Sequence, residues 1–145
     1  MKKIIFIITI GLFTAQALSA QDVITQDIKQ LPKKSQDFII KYFPDEKISY
    51  IKIDEEFMQK DYDVIFVSGS EIEFSKDGEW HEINCKRSAI PEAIIPANMK
   101  AYISKNFNNA HISKMEKKTK HFEIELSNDL DMEFDLHGNF IRIDD

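Results

Sequence analysis

The side chains best placed to do chemistry in this chain are carboxylates at alternating positions. Between His121 and Leu136, Glu123, Glu125, Asp131, Glu133 and Asp135 alternate with Phe122, Ile124, Leu126, Met132 and Phe134. A period of two sets the acids on one face of extended strands and the apolar residues on the other. Asp63, Glu71 and Glu73 continue the pattern upstream. Neighbouring strands lie about 5 Å apart, so these acids would form a dense anionic field. Such a field can steer and hold a basic loop of a protein partner. The alternative to this leading reading is a small-ligand or cation-binding module, for Ca²⁺ above all, with Glu123, Asp131 and Glu133 close together in the pattern. A solvated acidic face that discourages edge aggregation has the same residue types.

Two aromatics join this set if alternation is strict. With Ile83 and Ile143 turned into a core, Trp80 and Phe140 face outward beside the acids. Aromatics flanked by charge are the usual anchors of protein interfaces, because they bury a large area with few rotatable bonds. Tyr50 and Tyr62 are weaker candidates of the same kind.

Catalytic constellations do not assemble. The chain has no His-Glu-x-x-His, no Cys-x-x-Cys, no phosphate-cradling glycine loop and no Gly-x-Ser-x-Gly elbow. A general acid needs an environment that raises its pKa, whereas acids alternating along a flat strand are solvated. His121 shares a strand face with Glu123, but His111 and His137 fall on separate turns, so a transition-metal centre is not expected. Asn128, Asp129 and Asp131 offer oxygen ligands without a complete EF-hand loop. Cys85 is the only cysteine, which rules out an intramolecular disulfide and reads as packing. The reading is a non-enzyme without a cofactor.

The elements that must position the acids occur twice. A shift of 64 sets Leu31-Pro32 on Ile95-Pro96, Phe38-Ile39 on Tyr102-Ile103 and Phe43 on Phe107. A shift of 60 sets Tyr62-Asp63-Val64 on Phe122-Glu123-Ile124, Glu73-Phe74 on Glu133-Phe134, Gly78 on Gly138 and Trp80 on Phe140. The first copy therefore carries four extra residues between Lys52 and Asp61. Each copy opens with an amphipathic helix begun at a proline, and Pro44 stops the first one. Helical signals also precede them, at Val23 to Gln30 and Pro91 to Ile94.

Strands follow each helix. They are expected near 47–54, 61–68, 71–76 and 79–84, and near 111–117, 120–127, 130–136 and 139–144. Short turns make successive strands neighbours, so each copy is a helix plus a four-stranded antiparallel meander. The fold class is α+β, with one extended antiparallel sheet shared by two tandem repeats and helices on one face. Repeat 1 covers 21–85 and repeat 2 covers 86–145, within one domain.

Compartment and charge narrow the partners. Met1-Lys2-Lys3, the apolar run Ile4 to Phe13 and small residues at Ala15, Ala17, Ser19 and Ala20 read as a secretory signal peptide, residues 1–20. The apolar run is too short to span a bilayer comfortably. Its removal takes away two lysines and no acid, leaving 17 basic against 25 acidic side chains, a formal charge of −8. Such a chain repels nucleic acid and anionic lipid, so the expected partner is an exported, basic protein. The chain is read as exported, to a compartment outside the cytoplasm.

The doubled pattern resembles a known family. Leu31-Pro32, Phe43 and Glu73-Phe74 through Gly78 to Trp80, with Ile95-Pro96, Phe107 and Glu133-Phe134 through Gly138 to Phe140, are similar to PepSY-like exported proteins of Bacteroides-type bacteria. Members resemble the β-lactamase inhibitor protein in architecture. The resemblance implies a periplasmic location, a broad sheet face open to a partner and a binding or inhibitory role. It implies no catalytic residues.

Overall fold

Proline decides where both helices begin. The computed structural model describes residues 22–144, and in it Pro32 and Pro96 precede the first helical residue with φ of −53°. Their ring-fixed φ leads the chain into a helix, and they lack an N–H that would have no intrahelical partner. Helix α1 spans Lys33–Tyr42 and α2 spans Ala97–Asn106. Phe43 and Phe107 close them, each donating its backbone N–H to the carbonyl of Ile39 or Ile103. Asn108 follows Phe107 where Pro44 follows Phe43, and both helices end alike. Proline is therefore not what stops α1. Phe43 is anchored instead by stacking on Phe66, 5.7 Å between ring centres.

Among the described residues nine strands form one antiparallel sheet in chain order. They are β1 Val23–Thr25, β2 Ile48–Glu56, β3 Gln59–Phe66, β4 Glu71–Ser75, β5 Trp80–Asn84, β6 Ile112–Lys117, β7 His121–Leu126, β8 Asp131–Asp135 and β9 Phe140–Asp144. The helical signal at Val23 to Gln30 resolves differently. Val23–Thr25 pairs with β2, and only Ile28–Gln30 makes a 3₁₀ turn, capped by the Asp27 side chain. Three successive residues rich in β-branching outweighed a weak helical period. Glu92–Ile94 forms a second 3₁₀ turn before α2.

Apolar strand positions meet the helices on one face. Val64, Ile72, Phe74, Ile83, Met115, Ile124, Met132 and Phe134 are buried in a single core with Leu31, Ile39 and Phe43 and with Met99 and Ile103. Strand β5 pairs with β6 through Glu82–Glu116, Ile83–Met115 and Asn84–Lys114, which makes the sheet continuous.

Two glycines hold the turns against the helix starts. Gly138, at φ 83°, lies where a Cβ would come within 2.8 Å of Pro96 Cβ and 3.0 Å of the Met99 nitrogen. Gly78, at φ 78°, meets Lys34 and Pro32 in the same way, and its carbonyl accepts a hydrogen bond from the buried Ser35 hydroxyl. Left-handed backbone and close approach together require glycine at both places.

Candidate functional site

The face away from the helices carries the acids, and the strand register lines them up. Asp63 lies opposite Glu73, Glu73 opposite Glu82, Glu82 opposite Glu116, Glu116 opposite Glu123 and Glu123 opposite Glu133. Six carboxylates thus stand side by side on adjacent strands. Lys52 ends the row beyond Asp63, and Arg142 ends it beyond Glu133. Like charges directly opposite one another destabilise a sheet, so the row is held at a cost.

A second row runs beside it through Glu71, Asn84, Lys114, Glu125, Asp131 and Asp144. Between the rows, a shallow hollow of about 210 Å³ is lined by Glu116, Glu123, Glu125, Asp131, Glu133 and Asp144, with Lys114 in its wall. At its margin, ligand atoms of His121, Glu123 and Glu133 lie within 4.8 Å of one another. Oxygen donors of this number and type suit a hard cation.

Cations of the chain offset part of the charge. Lys114 reaches Glu82 at 3.1 Å, and Lys118 bonds Glu116 and lies 3.6 Å from Glu123; the His81 imidazole lies 3.4 Å from Glu73. Arg142 bonds Glu133 at 2.5 Å and holds that carboxyl below its ordinary range. At the first-half end of the row the balance reverses. Burial, then the neighbouring Glu82 and Asp63, push the Glu73 carboxyl up, and burial against the pull of Lys52 pushes Asp63 up.

Of the residues expected on this face, Asp63, Glu71, Glu73, Glu123, Glu125, Asp131 and Glu133 are on it. Asp135 is spent locally: its carboxylate accepts from the His137 and Asn139 backbone and from the Asn139 amide, which lowers its pKa and fixes the β8–β9 turn. Asn128 and Asp129 form the turn before β8, with Asp129 at φ 63°. They stand apart from Asp131 in the hollow lining. Cys85 is buried, and burial raises its thiol pKa, as suits a packing residue.

Trp80 and Phe140 lie on the opposite face from the one expected. Trp80 packs against Phe38 of α1 and stacks on Phe122, and Phe140 stacks on Tyr102 of α2 at 4.5 Å between ring centres. The cause is a bulge in each strand pair. Phe74 faces Trp80 while Glu73 faces Glu82, so His81 is an extra residue; Ile141 plays the same part in β9. One inserted residue lets both Trp80 and Ile83 face the helices. Alternation counted back from Ile83 sets Glu82 outward, where it stands, and goes wrong only beyond His81. Glu116 was missed because β6 also carries a bulge, at Ser113.

A family model described as "Putative beta-lactamase-inhibitor-like, PepSY-like" matches residues 60–142. The chain belongs to the PepSY-like family. Solved structures agree with that assignment. A "putative calcium-regulated periplasmic protein" from Bacteroides thetaiotaomicron is 38% identical with a TM-score of 0.79, the match covering 86% of this chain and 96% of that one. A "putative periplasmic protein from DUF2874 family" from Bacteroides vulgatus is also 38% identical, TM-score 0.78, covering 89% and 99%. Another B. vulgatus periplasmic protein "of unknown function" is 37% identical, TM-score 0.80, covering 86% and 100%. No curated protein matches the sequence. This PepSY-like protein is periplasmic, like these neighbours. Among the described residues no helix is long and apolar enough to cross a membrane.

Proposed function

We propose that this PepSY-like protein is a non-catalytic periplasmic module whose working surface is the open acidic sheet face, and that calcium is its first ligand. The observation that carries the reading is the row of six cross-strand carboxylates beside a hollow lined by six acids. Repulsion stored in the folded sheet is released when a divalent cation bridges neighbouring carboxylates, so binding and stability are linked. The description of the B. thetaiotaomicron neighbour as calcium-regulated supports the choice of ion. So does the loss of Trp80 and Phe140 from this face, which leaves it with charge but without large aromatic anchors.

The test is thermal unfolding of the exported chain in Ca²⁺, Mg²⁺ and no divalent ion. Ca²⁺ should raise the midpoint, and Glu125→Gln with Asp131→Asn should remove most of the rise. An unchanged midpoint at millimolar Ca²⁺ would reject calcium.

A basic segment of an exported protein is the second reading. Seven spacings between strands give the row from Lys52 to Arg142 a length of about 34 Å, enough to lie along an extended peptide. The family's inhibitor-like description supports it. Binding of a lysine-rich peptide that is lost in 0.5 M salt, without any response to Ca²⁺, would favour this reading over the first.

We also read the chain as an internal duplication within one domain, repeat 1 at 21–85 and repeat 2 at 86–145. Support comes from the matched proline starts, phenylalanine ends and turn glycines. Repeat 2 expressed alone should fail to fold cooperatively, because Met115 and Phe122 pack against Ile83 and Trp80 across the seam. A cooperative unfolding transition for 86–145 would contradict a shared core.

A further inference from the structure

The β2–β3 hairpin outreaches the β6–β7 hairpin by two residue pairs. Pairing in the shorter hairpin ends where Lys118 donates its N–H to the His121 carbonyl, leaving Thr119-Lys120 as the turn. The corresponding level in the longer one is Asp54 opposite Asp61, and pairing continues through Glu55–Lys60 and Glu56–Gln59 to a turn at Phe57-Met58. Strand β4 ends at Ser75, opposite Asp61, so the extra pairs have no β4 neighbour. Two residues of strand add about 7 Å of reach.

The tip breaks two rules at once. Phe57 is 104% exposed and Met58 87%, although this is an aromatic and a long apolar side chain side by side. Phe57 also sits at φ 54°, where glycine, asparagine or aspartate is the ordinary occupant of a two-residue turn. A bulky residue held in left-handed backbone with no contact to reward it points to a role outside the fold.

We propose that the Phe57-Met58 tip is a docking finger for an exported protein that presents an apolar cleft rimmed by basic side chains. The Phe57-Met58 pair lies beyond the Lys52–Asp63 end of the acid row, and its docking does not use the hollow on β6 to β9 or the ligand of that hollow. Charge selects the partner class. Asp54, Glu55, Glu56 and Asp61 surround the tip against Lys60, which is paired with Glu55 at 3.3 Å. That surround repels anionic lipid headgroups and attracts a basic rim. A cleft also encloses a finger on several sides. A second copy offers a groove beside Ile40 and Phe43, but that groove carries Glu46 beside Lys47 in a chain with an excess of acidic side chains, so it has no basic rim for the acidic tip.

The experiment places a photoreactive phenylalanine analogue at Met58 of the full chain in its native periplasm, with Lys120 as the control position. The expected result is one discrete adduct with another protein, formed from position 58 and not from 120, and lost on Glu55→Lys, Glu56→Lys. With that protein purified, Phe57→Asn should weaken binding at least tenfold while leaving the melting midpoint equal or higher, since asparagine accepts this φ. An adduct of twice the chain's mass would overturn the proposal in favour of a second copy. Flotation with phosphatidylglycerol vesicles would overturn it in favour of a membrane. No adduct, the same adduct from Lys120, or unchanged affinity in Phe57→Asn would overturn it outright.

Discussion

Replacing Glu73 by glutamine should stabilise the protein, although it alters the contact of Glu73 with His81. Glu73 stands directly between Asp63 and Glu82 in the acid row. Two unit charges about 6 Å apart repel by about 1 kcal/mol at an effective dielectric near 60. Physiological salt, with a Debye length of about 8 Å, removes roughly half of that. The His81 contact at 3.4 Å joins half-exposed side chains and offsets a few tenths of a kcal/mol at most. With both neighbours relieved, the net gain for Glu73→Gln is about 0.5–1 kcal/mol at physiological salt, a rise of about 2–4 °C in the melting midpoint, and about twice that at low salt. The sign with pH follows from the raised carboxyl. A pKa higher in the folded than in the unfolded chain means that the ionised group costs stability, and this cost is lifted as pH falls through the folded value. The advantage of glutamine should therefore be full at pH 7 and fade below the folded pKa. Urea unfolding of both chains at pH 7 and pH 4, each in 20 mM and 500 mM salt, measures it. If Glu73→Gln destabilises the protein at pH 7 in low salt, the row is not repulsive and the account of the face fails.

The other end of the row should respond in the opposite sense: Arg142 holds Glu133 low, so its contribution is present above the unfolded carboxylate pKa and lost as pH falls through the folded one, and Glu133→Gln should flatten the acid limb of the stability curve. Gly138→Ala should cost about 2–4 kcal/mol, from left-handed backbone plus contact with Pro96 and Met99, read as a lower urea midpoint with unchanged slope. Cys85 should resist a thiol reagent in the native state and react fully once the chain is unfolded; rapid native labelling would contradict its burial.

How far the sequence reaches depends on how regular each element is. Strands β7 and β8 alternate without interruption, so the faces of Glu123, Glu125, Asp131 and Glu133 are legible from period alone. The pairing of Pro32 with Gly78 and of Pro96 with Gly138 is visible as a recurring motif, and only the structure gives its cause, a turn pressed on a helix start. Bulges are where reading by period fails. One extra residue at His81 reverses the face of Trp80, and no residue type in Trp-His-Glu-Ile announces it. The acid row also spans β5 and β6, whose adjacency is a tertiary fact, so Glu82 and Glu116 emerge only when strands far apart in the chain are laid side by side. The additional length between Lys52 and Asp61 is apparent from the self-alignment, but its form as two further hairpin pairs and an exposed tip is not.

Titration calorimetry of the exported chain with CaCl₂ at pH 7, beside Glu125→Gln, Asp131→Asn, tests the central claim most directly. The acidic face as a calcium site predicts saturable heat for the natural chain and a loss of at least tenfold in affinity for the variant. No heat from the natural chain, or equal binding by both, would contradict it.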